Sequence, residues 1–142
     1  AGMAEEEHSS ASLNPGVVRL QGIGMWAPGG LYSAYDTKYQ SEMENWLSEN
    51  DFHKLINAIN TSIVMRWPCV PCYCFSTVCC PFTLGLSTLL VRCLCFSDAE
   101  MAAQATIQRV NDSQACRESG VTFKLVYSRC RSWIEVSRES RR

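Results

Sequence analysis

The most constraining feature of the chain is the segment WPCVPCYCFSTVCCPFTLGLSTLLVRCLC, Trp67–Cys95, which holds seven of the nine cysteines and three of the five prolines. Its one charged residue is Arg92, close to its end. Four explanations compete for so many thiols in so apolar a stretch: a disulfide framework, a metal site, a redox or nucleophilic centre, and attachment to a membrane. Each requires different neighbouring residues, so each can be weighed against the rest of the sequence.

The uncharged part of this segment, Trp67–Val91, is long enough for a membrane-spanning helix, which needs about 20 apolar residues. Its composition argues against a straight span, because prolines at positions 68, 71 and 81 and a glycine at position 85 interrupt it. Pro81 divides it into two pieces that are each too short to cross alone. We therefore expect a shallow or re-entrant insertion flanked by Arg66 and Arg92 near the headgroups. A full span and burial in a soluble core are the alternatives.

The N-terminal stretch AGMAEEEHSSASLNPG, residues 1–16, is acidic and polar and lacks the apolar centre of a secretory signal. We expect it to be a disordered lead-in, and the rest of the chain to stay on the cytosolic side of a membrane. Thiols are kept reduced there, which argues against structural disulfides.

Two kinds of thiol site remain besides a membrane anchor. Cys69 and Cys72 form a CxxC pair, and Cys79 and Cys80 follow, so four ligands for a structural zinc ion are present. The segment has no histidine and is strongly apolar, which makes zinc the weaker explanation. A thioredoxin-type centre would need the CxxC inside a βαβ unit, which the surrounding pattern lacks. A nucleophilic cysteine would need a base, and both histidines of the chain lie outside the segment.

The chemistry that best suits these thiols is S-acylation, because cysteines beside a membrane-dipping segment are the usual acceptors of palmitate. One acyl chain holds a protein weakly and several hold it stably, so a cluster of cysteines suits this purpose. The candidate acyl sites are Cys69, Cys72, Cys74, Cys79, Cys80, Cys93 and Cys95. Some of them are expected only to pack as small apolar residues. We expect Cys116 and Cys130, which lie outside the segment, to be structural.

An amphipathic helix is predicted before the segment, over Glu49–Met65. Ser48 and Asp51 form a capping-box pattern at its start, with Asp in place of Glu. Apolar residues then recur at helical spacing. The inward stripe comprises Phe52, Leu55, Ile56, Ile59 and Ile63, and the outward face carries Lys54, Asn57 and Asn60.

A second helix is predicted after the segment, from Asp98 to about Cys116. Ser97 and Glu100 form another capping-box pattern, and Gly120 is expected to stop the helix. The residues expected to face inward are Met101, Ala105 and Val110.

The remaining regular elements are predicted strands. VVRLQGIG, Val17–Gly24, has strand composition, and VTFKLVYS, Val121–Ser128, alternates apolar and polar residues. Ser132–Ser137 should pair with the latter as a hairpin. The predicted class is therefore α+β, with a small antiparallel sheet and two amphipathic helices flanking an apolar cysteine-rich membrane-inserting segment. We expect one domain over residues 17–138, with the insert at 67–96 and a basic tail at 139–142.

The charges are unevenly distributed along the chain. The formal net charge is −1, which argues against a general nucleic-acid binder. Residues 1–66 carry 4 basic and 8 acidic side chains, whereas residues 117–142 carry 7 basic and 3 acidic ones. The basic C-terminal part is either a solvated surface or a contact for anionic lipid headgroups or an acidic partner.

Several motifs, taken in order, resemble one family. VVRLQGIG is similar to its opening strand, YDTKYQSEM to its aromatic-x-Thr signature, and FHKLINAIN to the helix that follows. CYCFSTVCCPFTLGLS is similar to its cysteine string, and VTFKLVYS and WIEVS to its closing strands. Over roughly Val17 to Ser137 the chain thus resembles the family of golgin subfamily A member 7, the yeast Ras-palmitoyltransferase accessory subunit and the cysteine-rich hydrophobic proteins.

The resemblance implies a function without catalytic residues or cofactors. Golgin-type members bind and stabilise a DHHC-type protein S-acyltransferase at Golgi or plasma membranes and are themselves palmitoylated at a CxxC, which corresponds here to Cys69 and Cys72. The implied partners are this enzyme and membrane lipid, on the cytosolic face of endomembranes and the plasma membrane, with no nucleic acid. The alternatives are a free-standing palmitoylated trafficking adaptor and a zinc-binding module. The aromatic residues Trp26, Tyr32 and Tyr35 are candidates for a docking face or for the core.

Overall fold

The computed structural model describes residues 16–27, 29–67, 70–91 and 96–139, apart from the side chains of residues 70–73, 76, 88 and 91. The predicted disordered lead-in, except Gly16, and the predicted basic tail, except Glu139, lie outside the described residues. Nothing in the structure therefore bears on those two expectations.

The described residues form an α+β fold, as predicted, with one antiparallel sheet and five helices. A short 3-10 helix, Ser41–Met43, lies in the long connection before the first α-helix. The elements in chain order are β1 (Val17–Gln21), α1 (Glu49–Arg66), α2 (Val70–Cys79), α3 (Leu86–Val91), α4 (Ser97–Asn111), α5 (Gln114–Ser119), β2 (Val121–Ser128) and β3 (Arg131–Arg138).

The sheet has the order β1-β3-β2, and both pairings are antiparallel. The predicted hairpin of β2 and β3 is confirmed, and Ile134 of β3 lies between Leu20 of β1 and Leu125 of β2. The inner face of the sheet contributes Val18, Leu20, Val121, Phe123, Ile134 and Val136 to the core. On the outer face Arg19 pairs with Glu135 at 3.3 Å and lies over the ring of Trp133.

Helix α1 begins and buries its apolar face as predicted. The Ser48 hydroxyl oxygen accepts the Asp51 N–H at 3.2 Å, and the hydroxyl donates to the Asp51 carboxylate at 2.7 Å. Four of the five predicted stripe residues are buried, namely Phe52, Ile56, Ile59 and Ile63, and Leu55 is partly buried against them. Local capping and periodicity were sufficient signals here because they agree with each other.

The helix after the insert begins within one residue of the predicted Asp98, but its predicted cap and its predicted extent are wrong. Ser97 does not cap α4: it is the first helical residue, and Phe96 precedes it in an αR conformation without a side-chain cap. The helix ends at Asn111, where Ser113 begins α5 by accepting the Cys116 N–H. Gly120, with φ of +68°, ends α5 as predicted, because glycine adopts this left-handed conformation without strain.

The predicted inward face of α4 is also mostly wrong. Met101 is 65% exposed and Ala105 is exposed, whereas Val110 is buried as expected. The buried stripe comprises Ala99, Ala103, Ile107 and Val110. Alanines at two of these positions allow α4 to lie close to α1. The contact with α1 therefore determines which face of α4 is buried, and the large apolar side chain of Met101 does not.

Two asparagines connect the helices to extended backbone. The Asn60 side chain of α1 accepts the Tyr35 N–H at 2.8 Å and donates to the Tyr35 carbonyl at 3.0 Å. The Asn111 side chain of α4 does the same with Phe123, at 2.8 and 2.9 Å. Asn60 was predicted on the outward face, which is wrong: it is half-buried and holds the segment before α1 in place.

The arrangement of α1, α4 and the sheet divides the frame into two ends. At one end, here called the insert end, α1 finishes, α4 begins, β1 finishes and β2 turns into β3. At the opposite end lies the start of α1, where Arg138 of β3 donates to the Asn45 carbonyl at 3.1 Å. Trp67 and Phe96, the described residues that flank the insert, therefore both lie at the insert end.

Candidate functional site

The cysteine-rich insert is a pair of short helices that pack on each other. Helix α2, α3 and the turn between them, residues 80–85, are here called the insert hairpin. Pro81 lies in this turn, as predicted. The ten residues of α2 extend about 15 Å, half of a hydrocarbon core about 30 Å thick. Among the described residues, no helix combines the length and the apolar character needed to cross a bilayer.

The insert hairpin exposes large apolar side chains on its outside. Leu84 at the turn is 96% exposed and Phe82 is 86% exposed. The other exposed members are Phe75, Val78, Leu86, Leu89 and Leu90. The alternative of burial in a soluble core is therefore wrong for these side chains. Exposed apolar side chains in this number are typical of surfaces that contact a membrane or an apolar partner.

The turn of the insert hairpin satisfies backbone polar groups internally. The Thr83 hydroxyl donates to the Cys79 carbonyl at 3.0 Å and accepts the Ser87 N–H at 3.3 Å. One side chain thus serves the last carbonyl of α2 and an early N–H of α3. Because a bilayer core offers no water to replace such bonds, internal satisfaction is what an inserted turn needs.

The direction of the chain reverses through two left-handed residues. Leu84 has φ of +53° and Gly85 has φ of +82°. The Gly85 N–H donates to the Cys80 carbonyl at 2.9 Å and closes the turn. Leu84 adopts a conformation that is unfavourable for a leucine, and the same conformation directs its side chain outward at the tip.

The described cysteines of the insert hairpin differ in exposure. Cys74 is exposed in the middle of α2, and Cys79 and Cys80 are half-buried at its end. The backbone of Cys72 lies in α2, but its side chain is outside the described residues. Three further predicted acyl sites, Cys69, Cys93 and Cys95, lie outside the described residues altogether. Of the three predicted thiols that the structure describes, Cys74 is the one in the exposed class.

The zinc alternative receives no support from the described residues. No group of three potential ligands among His, Cys, Asp and Glu comes together within them. Of the four proposed ligands, Cys79 and Cys80 are described, whereas Cys69 and the side chain of Cys72 are not. The zinc alternative therefore stays untested as a four-ligand site.

The base of the insert hairpin is closed by aromatic packing. The rings of Trp67 and Phe96 meet edge to face with centroids 5.2 Å apart. Phe96 is buried with Ala27, Leu31 and Ala99, so this contact belongs to the core of the frame. Arg66, one of the two predicted flanking residues, is exposed immediately before Trp67. The other predicted flanking residue, Arg92, lies outside the described residues.

The two frame cysteines have different environments. Cys116 is buried as predicted, and burial raises the pKa of its thiol. The prediction for Cys130 is wrong, because it is exposed at the turn between β2 and β3. A two-residue turn leaves its side chains in solvent, which the sequence pattern alone could have indicated.

The three aromatic residues that were candidates for a docking face also differ in burial. Tyr35 is fully buried, and its hydroxyl lies 2.6 Å from the Ser132 hydroxyl, which donates to the Gly30 carbonyl. Tyr32 packs against Tyr35 with ring centroids 6.3 Å apart. Trp26 is 49% exposed, so it alone of the three presents a large surface.

Comparisons of the chain with protein-family models, with curated proteins and with solved structures found no match. The geometry of the insert hairpin and the motifs of the sequence are therefore the basis on which a function is proposed.

Proposed function

We propose that this protein is a non-catalytic accessory subunit that binds and stabilises a DHHC-type protein S-acyltransferase at a membrane and is itself S-acylated. The observation that carries the membrane part is the insert hairpin, with its exposed apolar tip of Phe82 and Leu84. The enzyme partner is supported by the resemblance of the ordered motifs over Val17–Ser137.

Insertion into one leaflet explains the exposure of the hairpin side chains. In water each large apolar side chain costs roughly 1.5–3 kcal/mol relative to burial. Entry of the insert hairpin into a bilayer would remove that cost for Phe75, Val78, Phe82, Leu84 and their neighbours. A depth of about 15 Å reaches the middle of the bilayer and no further. This favours a re-entrant hairpin with both of its ends on the same side.

The position of each thiol along the insert hairpin ranks it as an acyl site. An acyltransferase acts on thiols near the membrane surface, so cysteines close to the base are favoured over those at the tip. Cys74 is exposed and lies about 6 Å along α2 from Val70. Cys69 and Cys72 precede it in sequence and match the CxxC of the resembled family. Cys79 and Cys80 would lie deeper, near the turn.

Stabilisation of the enzyme follows from linkage. A subunit that binds only the folded enzyme raises its apparent stability without taking part in its chemistry. The frame would contact the cytosolic regions of the enzyme, and the insert hairpin would lie beside its transmembrane helices. A free-standing acylated adaptor is the second candidate, since the same insert hairpin would serve it equally well.

The acylation part is tested by intact-mass spectrometry of the protein from eukaryotic cells, before and after neutral hydroxylamine. We expect mass increments of palmitoyl size that hydroxylamine removes, and their reduction in the triple variant Cys69→Ser/Cys72→Ser/Cys74→Ser. The matched control is Cys130→Ser, which changes a thiol on the frame. An unmodified mass with stoichiometric zinc would instead establish the metal module.

The partner part is tested by co-purification of a DHHC-type acyltransferase with the tagged full chain in detergent. We expect the enzyme to be recovered and to lose activity more slowly on warming when the subunit is present. Recovery of acylated protein without any acyltransferase would support the free-standing adaptor. Failure of acylation and failure of enzyme capture are thus separate outcomes.

A further inference from the structure

A second apolar surface lies next to the base of the insert hairpin, on the frame itself. Residues 22–35 form a ribbon that doubles back on itself, and three of its large side chains are exposed: Ile23 by 62%, Met25 by 56% and Trp26 by 49%. The ribbon leads directly into Ala27 and Leu31, which are buried against Phe96. The exposed side chains are therefore held at the insert end.

This ribbon is tied by hydrogen bonds, so its exposed side chains are presented on a fixed support. The Ile23 N–H donates to the Ala34 carbonyl at 3.0 Å, and the Ser33 N–H donates to the Met25 carbonyl at 2.9 Å. The Met25 N–H donates to the Ser33 hydroxyl at 2.7 Å. A Cβ at Gly24 would lie 2.1 Å from that hydroxyl, so glycine is required for the two sides to approach.

Basic side chains border the same surface. The Trp26 indole donates to the Cys130 carbonyl at 2.7 Å, which places the exposed Arg129 and Arg131 of the β2–β3 turn beside it. Arg66 is exposed at the end of α1. Within the described part of the chain, none of these three arginines forms an ion pair with a carboxylate.

Three carboxylates lie at the insert end of the described frame. Asp98 is exposed and Glu100 is half-buried, both in the first turn of α4. Glu100 accepts a hydrogen bond from Gln104 at 3.4 Å. The third is Asp36, whose N–H donates to the Gln21 carbonyl at the end of β1, so the excess of positive charge is concentrated at the β2–β3 turn with Arg129 and Arg131.

We propose that Ile23, Met25 and Trp26 together with Arg66, Arg129 and Arg131 form an interfacial rim that seats the frame on an anionic bilayer surface. This inference goes beyond the proposed insertion of the hairpin, and the rim lies at the same end of the frame because Ala27, next to Trp26, packs with Phe96. A tryptophan with Arg129 and Arg131 beside it is suited to the headgroup layer, where its ring is half-solvated and the guanidinium groups meet lipid phosphates. The rim would fix the orientation of the frame, while the hairpin supplies the depth.

The test measures partition of the full chain between buffer and vesicles of phosphatidylcholine, alone or with about 30% phosphatidylserine, at low and high salt. The rim variant is Arg129→Asn/Arg131→Gln, with asparagine chosen because position 129 has φ of +54°. We expect this variant to bind anionic vesicles roughly 30-fold more weakly than the wild type at low salt. At high salt the loss should shrink to about tenfold or less, and binding to neutral vesicles should not change.

Two controls separate this inference from the proposed function. Lys54→Gln/Arg117→Gln removes the same charge away from the insert end and should bind as the wild type does. Phe82→Asp/Leu84→Asp tests the hairpin and should lose binding to both vesicle types. Loss of binding only in the hairpin variant, with the rim variant at the wild-type level on anionic vesicles, would overturn the rim. Normal binding by the hairpin variant would instead overturn hairpin insertion and leave the rim as a peripheral contact.

An apolar variant provides a second arm that does not depend on charge. Ile23→Ser/Met25→Ser should weaken binding to neutral vesicles by roughly tenfold, because it removes the apolar part of the rim. If the rim variants keep vesicle binding but lose capture of the acyltransferase, the rim is a protein-binding surface and the lipid assignment is wrong.

Discussion

Trp67 and Phe96 form an edge-to-face ring pair, with planes at 74° and centroids 5.2 Å apart, at the two ends of the insert. Both rings also contact the frame, Phe96 as a buried residue and Trp67 as a partly buried one. The frame therefore holds the start and the end of the insert together through its own core. A substitution that breaks this ring pair should therefore lower the folding stability of the frame. Substitutions of the exposed hairpin side chains should change that stability little.

Phe96→Ala should lower the free energy of unfolding by about 3 kcal/mol, because it removes a buried ring and leaves a cavity. The matched control is Phe75→Ala, at a side chain that is 72% exposed, and it should change stability by less than about 0.5 kcal/mol. Urea unfolding in a mild detergent, followed by tryptophan fluorescence, provides the measurement. Equal losses in the two variants would mean that the hairpin is part of the cooperative core.

Asn60→Ala should destabilise the fold by about 2 kcal/mol, because it leaves the buried Tyr35 N–H and carbonyl without their partner. Asn57→Ala, at an exposed position of the same helix, is the control and should be nearly neutral. Hydrogen exchange of the Tyr35 amide gives a local readout, and we expect its protection to fall in Asn60→Ala alone. Unchanged protection of that amide would contradict the assigned bond.

Thr83→Val should weaken insertion of the hairpin into neutral vesicles by roughly threefold, because it removes two of the bonds that close the turn. These are the bond to the Ser87 N–H and one of the three that the Cys79 carbonyl accepts. Valine is nearly isosteric and more apolar, so a simple hydrophobic effect predicts stronger binding instead. Thr83→Ser keeps the hydroxyl and should bind as the wild type does. Stronger binding by the valine variant would show that the turn does not enter the hydrocarbon.

Tyr127→Phe should leave stability at neutral pH unchanged or raise it by up to about 1 kcal/mol, because the buried hydroxyl has no hydrogen-bond partner among the described residues. Burial raises the pKa of this phenol above its usual 10.0, and the nearby Glu100 carboxylate adds to the shift. The folded state therefore keeps a proton that the unfolded state loses above pH 10. The contribution of this group to stability is complete below pH 10 and is lost as the pH rises above it. Tyr127→Phe should therefore lose less stability than the wild type between pH 7 and alkaline pH.

Tyr35→Phe supplies the contrast for this pH experiment. Burial also raises the pKa of the Tyr35 phenol, so this variant should likewise flatten the alkaline loss of stability. Its hydroxyl is bonded to Ser132, however, so we expect a loss of about 1 kcal/mol at neutral pH. Urea unfolding at pH 7 and above pH 10 distinguishes the two variants. Equal losses of stability at pH 7 in Tyr127→Phe and Tyr35→Phe would mean that the Tyr127 hydroxyl forms a hydrogen bond.

The features that local patterns predicted are those that local physics determines. Helix α1 follows from the Ser48 cap and a periodic stripe, and the β2–β3 hairpin follows from alternation. The division of the insert into two short helices follows from Pro81, which lies in the turn between them. In each case neighbouring residues in sequence supply most of the interactions that decide the conformation.

The features that were missed depend on contacts between distant parts of the chain. Asn60 reads as a surface residue until Tyr35 is brought beside it, and the phase of α4 depends on how closely its alanines approach α1. The rim was missed for the same reason, since Trp26 and Cys130 meet only in the folded frame. The close approach in the ribbon requires Gly24, which the sequence alone indicates only as a weak end to a strand.

Closure of the insert by Trp67 and Phe96 also has an evolutionary consequence. Helices α1 and α4 would form an ordinary antiparallel helix pair if a short loop joined these two residues, so the insert occupies the place of a loop. Loops are where protein families tolerate changes of length and composition. Related chains can therefore gain, lose or rearrange cysteines in the insert while selection on the frame continues unchanged.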